Sequence, residues 1–118
     1  MVTKNPHNII ILGAGSTGTY LAEALCEQNN LILVDKDVNK INQIKSTSKL
    51  DILTVSGDAA DFSIFKDLDL QSISYFIACT NDDKLNFLTA VFFEQVPGLQ
   101  TIVVSKDPKY KDYPVKLG

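Results

Sequence analysis

The stretch Asn8-Ile9-Ile10-Ile11-Leu12-Gly13-Ala14-Gly15-Ser16-Thr17-Gly18 joins a short apolar run to a glycine-rich turn. An unbroken apolar run ending at glycine suits a central parallel strand, because both faces of such a strand are buried. The turn has Gly-x-Gly-x-x-Gly spacing, and Ser16 opens a segment that reads as a helix to about Gln28, with Leu21, Ala24 and Leu25 on one stripe. Between a strand and a helix, each glycine has its own task. Gly13 makes the tight turn, Gly15 lets backbone approach a diphosphate, and Gly18 lets helix and strand pack closely. The helix start adds free N–H groups and the positive end of a dipole. The corner formed by Gly13, Ala14, Gly15, Ser16, Thr17 and Gly18 is therefore predicted to hold an adenine dinucleotide.

The remaining chain repeats the alternation of strand and helix. Residues 31–34 form a second apolar run, closed by Asp35. Asp37 suits the N-cap of a helix whose Val38, Ile41 and Ile44 recur every three positions. Residues 52–55 read as a third strand closed by Ser56-Gly57-Asp58, and Asp61 as the cap of a third helix carrying Ile64, Phe65 and Leu68. Residues 74–79 form a fourth strand, followed by a fourth helix over 84–95 that Pro97-Gly98 stops. Residues 101–104 make a fifth strand, and the tail from Asp107 reads as part of one more helix. This order predicts an α/β domain over 1–118, a Rossmann-like doubly wound parallel sheet in the order 3-2-1-4-5 with helices on both faces. Its switch point lies between the first and fourth strands, where ligands meet the carboxyl ends.

Asp35 ends the second strand about 20 residues after the glycine motif, where a carboxylate accepts hydrogen bonds from the adenosine ribose hydroxyls. It would repel a 2′-phosphate and so favours NAD(H) over NADP(H), although Lys36 beside it softens that discrimination. Gly57, Asp58 and Ala59 end the third strand on the same sheet edge and can border the adenine. A turn and helix cap would account for Asp58 equally well. After the fourth strand, Thr80 and Asn81 face the switch point and can hold the nicotinamide-side ribose or phosphates, while Asp82 and Asp83 cap the helix.

Composition excludes several classes. The net charge is −3 and all 11 basic residues are lysines, so there is no basic stripe for nucleic acid and no arginine to clamp phosphate. His7 is the one histidine, and Cys26 and Cys79 lack metal-ligand spacing, so no metal site is expected and the cysteines read as buried, reduced thiols. The polar first residues do not form a signal peptide, and no apolar run approaches the roughly 20 residues that span a bilayer. A soluble, intracellular domain is the expectation. No catalytic set is visible: Tyr113-Pro114-Val115-Lys116 has the wrong spacing for a short-chain dehydrogenase, and no histidine is placed as a base. The fourth helix is unusually apolar. Leu85, Leu88 and Phe92 make one stripe, and Phe87, Val91 and Phe93 lie away from it. The excess apolar face should be covered by another subunit or by a further part of a longer protein.

Taken together, these residues resemble the TrkA-N family, the nucleotide-binding half of RCK domains (regulators of potassium conductance). The resemblance runs through the glycine motif, Val34-Asp35-Lys36-Asp37, Val55-Ser56-Gly57-Asp58-Ala59, Ala78-Cys79-Thr80-Asn81-Asp82-Asp83-Lys84-Leu85-Asn86, Pro108-Lys109-Tyr110 and Leu117-Gly118. It implies a cytoplasmic, non-enzymatic regulatory domain held at the inner membrane face by a potassium transporter or channel subunit. Such domains pair and form rings, and NAD(H), or in some members ATP or ADP, shifts the ring and gates potassium flux. The helix around Leu85 to Val96 is the expected homo-oligomer contact. Two departures stand out: many relatives carry Arg just after the second glycine, here Ser16, and Arg or Lys late in the fifth strand, here Val104 with Lys106 two residues on. Fewer fixed cations favour NAD(H) over a triphosphate. Relatives continue past Leu-Gly, so the chain is expected to be a piece of a longer protein. The alternatives are the cofactor domain of an NAD-dependent oxidoreductase lacking its catalytic half, and a TrkA-N domain attached to an antiporter or other carrier.

Overall fold

A computed structural model describes residues 6–47 and 52–105. The glycine motif's apolar run is β1 (Asn8–Leu12), and it occupies the middle of a five-stranded, all-parallel sheet. Its partners are β2 (Asn30–Asp35) on one side and β4 (Tyr75–Ala78) on the other, with β3 (Leu53–Ser56) and β5 (Gln100–Val103) at the edges. The order is 3-2-1-4-5, as the alternation predicts.

Strand side chains divide by period two. Ile9, Ile11, Leu31, Leu33 and Ile77 face the layer of α1 (Ser16–Leu25) and α2 (Val38–Thr47). Ile10, Leu12, Val34, Phe76 and Ala78 face α3 (Asp83–Glu94) and the crossover from β3 to β4. On that second face Phe93 stacks on Phe76, with ring centroids 4.1 Å apart, and meets Phe65 edge-on at 5.0 Å. Helices on one face and a helix plus the crossover on the other bury β1 on both sides. That is why its sequence needs no polar alternation.

Four expectations are corrected. The crossover after β3 is not an α-helix but two 3-10 turns, Phe62–Phe65 and Leu70–Ser72. Asp61 caps the first as expected, accepting from the Ser63 N–H and hydroxyl, but Ser72 donates back to the Asp69 carbonyl. These local bonds offer the backbone an alternative to a continuing helix. On α1 the buried residues are Gly18 and Ala22, with Leu21 and Leu25 partly covered and Ala24 exposed. On α3 the buried face is Asn86, Thr89, Ala90 and Phe93, while Leu88, expected in the core stripe, is 51% exposed. Cys26 and Cys79 are free thiols but only partly buried. The expected tail helix and Lys106 lie outside the described residues.

Polar residues can occupy the inner face of α3 because each is satisfied there. Thr89 donates to the carbonyl of Leu85 at 2.9 Å. The Asn86 side-chain oxygen accepts from the Thr80 N–H (3.1 Å) and hydroxyl (2.7 Å), and its amide donates to the carbonyls of Thr80 (3.1 Å) and Val104 (3.2 Å). One fully buried side chain thus ties α3 to the carboxyl ends of β4 and β5. Asn86→Leu should cost about 3 kcal/mol, because the strand-end groups lose their partners away from water. Thermal denaturation should show a Tm lower by roughly 10 °C; an unchanged Tm would show that solvent satisfies those groups.

Candidate nucleotide site

A cleft of about 240 Å³ opens above the carboxyl ends of β1 and β4, at the switch point of the sheet. Its floor is the first strand-to-helix corner. Gly13 adopts a positive φ of 116°, and its N–H crosses to the Val34 carbonyl at 2.8 Å. A Cβ at Gly13 would lie 3.1 Å from the backbone of Cys79 and Thr80, and one at Gly18 would lie 1.7 Å from the Gly13 carbonyl oxygen. A Cβ at Gly15 would meet nothing within 4 Å. The turn and packing tasks expected of Gly13 and Gly18 are therefore visible, and Gly15 opens onto free space.

Gly15 is the N-cap of α1 and no side chain caps that helix, whereas Asp82 caps α3 by accepting from the Leu85 N–H at 3.1 Å. The first-turn amides of α1, at exposed Ser16 and Thr17, are left to solvent or to an anion. Gly13, Gly15, Ser16 and Thr17 line the cleft. Ala14 and Gly18 do not. Ala14 packs its methyl into the core and Gly18 lies beneath the turn, so both support the corner from behind.

Asp35 closes the cleft on the β2 side. Its Oδ2 accepts from the Ala14 N–H at 2.7 Å and its Oδ1 from the Asp37 N–H at 2.8 Å. The carboxylate therefore stands beside the glycine corner with its orientation fixed from both ends. Asp37 turns its own carboxylate to the Asn39 N–H and caps α2, as its position suggests. Lys36 lies on the rim. So does Lys40 of α2, which the sequence does not mark out, because a lysine on an amphipathic helix reads as solvated surface. Gly57, Asp58 and Ala59 line the far side, where Asp58 accepts from the Ala60 N–H at 2.9 Å and Ala59 is buried. Thr80 and Asn81 complete the β4 side. The Thr80 hydroxyl is turned inward to Asn86, the other contributor to the site that residue type and spacing do not reveal.

Cys79 sits at the floor, its thiol 3.4 Å from the Leu12 carbonyl oxygen. Burial and then the Asp35 charge push its pKa up to about 11, so it stays a neutral thiol at physiological pH. His7 is at the opposite end of β1, edge-on to Tyr75. Among the described residues no His, Cys, Asp or Glu cluster could hold a metal ion. No helix among them is long and apolar enough to cross a membrane.

A strand, an open glycine corner and a fixed acid at the next strand end characterise dinucleotide-binding folds, and the TrkA-N domain family model matches residues 9–118. The chain belongs to the TrkA-N family. It is 31% identical over 107 residues to the Trk system potassium uptake protein TrkA homolog of Archaeoglobus fulgidus, covering 91% of this chain and 24% of that protein. The Trk system potassium uptake protein TrkA homolog of Pyrococcus horikoshii is 27% identical over 105 residues, covering 87% and 45%. The chain thus spans about a quarter of the first relative and under half of the second. Among solved structures, the NAD(P)-binding domain of an exopolyphosphatase-related protein from Archaeoglobus fulgidus superposes with a TM-score of 0.76 at 25% identity, covering 89% of this chain and 77% of that one. The GsuK RCK domain gives a TM-score of 0.73 at 17% identity, covering 91% and 23%, and shares the fold.

The three glycines separate folding from binding. Gly18→Ala should destabilise the TrkA-N domain by about 3 kcal/mol, because its methyl meets backbone rather than a mobile side chain. Gly15→Ala should keep its Tm within about 1 °C of wild type, a surface-like substitution, while reducing nucleotide-induced stabilisation. Melting curves with and without nucleotide check both; equal Tm losses for the two variants would contradict the geometry.

Proposed function

We propose that this TrkA-N domain is a nucleotide-sensing regulatory domain of a potassium uptake system, and that its ligand is NAD(H). The observation that carries the reading is Asp35, fixed beside the open glycine corner with its carboxylate on the cleft wall. Each oxygen uses one acceptor site on backbone and keeps another for a ribose hydroxyl. The diphosphate would lie over Gly15, Ser16 and Thr17, the adenine toward Gly57, Asp58 and Ala59, and the second ribose toward Thr80 and Asn81. Lysines 36 and 40 are the cations of the rim. With Ser16 where many relatives carry Arg, a triphosphate such as ATP, or the diphosphate ADP, is held less well than NAD(H).

A regulatory role, rather than an enzymatic one, is supported by the chemistry of the cleft. Burial holds its thiol protonated at neutral pH, and no histidine lines its wall. Relatives named for potassium uptake supply the system: the domain would act in the cytoplasm at the inner membrane face, through a transporter or channel subunit. The ligand can gate flux only by binding one arrangement of the assembly more tightly than another. The assembly itself would be homo-oligomeric, dimer or ring, through the outer face of α3, where Leu88 is exposed beside partly exposed Phe87 and Val91.

A thermal-shift panel of NAD+, NADH, NADPH, ATP, ADP and AMP tests the ligand. NADH at saturating concentration should raise Tm by several degrees and ATP by less; clearly tighter ATP binding refutes the assignment. Asp35→Ala should lower the preference for NADH over NADPH by about tenfold, since it removes both an acceptor and a repulsion. Leu88→Asp should shift sedimentation toward monomer without lowering Tm, because the residue is outside the core. A monomeric wild type, or an unchanged oligomer, rules out the α3 contact.

A further inference from the structure

The β4 wall of the cleft is held by a side chain that does not reach the cleft. Thr80, Asn81, Asp82, Leu85 and Val104 line that wall, and Asn86, fully buried, does not. A side-chain amide offers two donors, and its oxygen two acceptor positions. Asn86 uses all four. Its oxygen accepts from the Thr80 N–H and hydroxyl, and its nitrogen donates to the carbonyls of Thr80 and Val104. The Thr80 hydroxyl, having given its proton to Asn86 at 2.7 Å, accepts in turn from the Asp82 N–H at 3.1 Å. Every polar group of Thr80 therefore has a partner inside the protein, and one amide pins the residues that follow β4 and β5 to each other. The opposite walls are held separately, Asp35 by the Ala14 and Asp37 N–H groups and Asp58 by the Ala60 N–H.

From this arrangement we infer that Asn86 is a positioning residue for the half of the ligand beyond the diphosphate: it touches no nucleotide, and through Thr80 and Val104 it sets the wall that the second ribose meets. This rests on the dinucleotide reading above and deepens it, because the two halves of the ligand then meet separately held walls. Thr80 contributes shape rather than a hydrogen bond. Turning its hydroxyl to a ribose would leave the Asn86 oxygen short of a donor away from water, which costs more than the new bond returns. A fully satisfied buried amide is also a stiff link, since no solvent competes for its partners. Affinity for a whole dinucleotide should therefore depend on this network. Affinity for AMP, which ends at the glycine corner, should not.

Isothermal titration of the 118-residue chain with NADH, ADP-ribose and AMP tests the assignment, ADP-ribose carrying the second ribose without the nicotinamide. Asn86→Asp keeps an oxygen that accepts from Thr80 and loses both donors. Thr80→Val loses the hydroxyl and keeps the shape. Each should weaken NADH and ADP-ribose by about tenfold and AMP by less than about threefold. Thr80→Ser, which restores the hydroxyl, should recover most of the loss that Thr80→Val causes. The double variant Thr80→Val/Asn86→Asp should bind NADH about as weakly as the weaker single variant, because the two side chains act as one unit. Losses that multiply mean that Thr80 touches the ligand itself and overturn the inference. So does an equal loss for all three ligands, which marks a general effect on the fold, or NADH affinity unmoved by either variant. Should Asn86→Asp not fold, amide hydrogen exchange in Thr80→Val decides. The Val104 N–H, bonded to the Ala78 carbonyl at 2.9 Å, should exchange about tenfold faster than in wild type, and unchanged exchange overturns the link. A wild type that binds none of the three ligands overturns the dinucleotide reading and this inference with it.

Discussion

Everything at the carboxyl edge of the sheet depends on how closely α1 crosses the end of β1. The Gly13 carbonyl oxygen occupies the place where a side chain on residue 18 would begin. That approach brings the first turn of α1 down onto the sheet, and the positive φ at Gly13 lets the chain leave β1 steeply enough to reach it. The same corner packs closely against the backbone of Cys79 and Thr80 at the end of β4, with no room there for a side chain on residue 13.

Two side chains then hold the walls to that corner. Asp35 accepts from the backbone on either side of the cleft's β2 edge, and Asn86 accepts from and donates to the ends of β4 and β5. Both use their polar atoms on main-chain groups, which fixes the backbone at positions where loops would otherwise be free to move. The arrangement is preorganised in the sense that matters for binding: little ordering of the walls is left for a ligand to drive. It also means that a change at either side chain acts on loop geometry as well as on any direct contact with a nucleotide.

The features legible in the sequence were those written in residue type at fixed spacing. The apolar runs give the strands and their parallel order, the turn and packing glycines 13 and 18 and the caps at 37, 61 and 82 do the local work expected of them, and Asp35 stands at the end of β2 beside the glycine corner. What stayed hidden involved competition or compensation. Asp61, Ser63, Asp69 and Ser72 look helical in their apolar neighbours but bond locally and leave two 3-10 turns. The inner face of α3 escapes an apolar pattern because Asn86 and Thr89 are polar, and only their partners in space make them suitable for a core. Lys40 was hidden for the opposite reason: nothing in a helical charge shows which neighbouring turn it overlooks. Gly18 supports the corner as its place in the motif implies, whereas the packing of the Ala14 methyl into the core is not written in the spacing.

The charge balance of the cleft bears on why such a site would suit sensing. Asp35, Asp58 and Asp82 line it together with Lys36 and Lys40, and the Cys79 thiol carries no charge at neutral pH. A diphosphate entering this space finds two mobile ammonium groups at the rim and backbone N–H groups at the floor, with no guanidinium fork to lock it. Backbone amides give direction and register to an anion, while lysines supply attraction that solvent screens. Such a site would hold an anion by shape more than by fixed charge. A regulator must release its ligand readily, since a ligand bound so tightly that it is always present reports nothing about its concentration, and it shifts an equilibrium only by the difference in its affinity for two states.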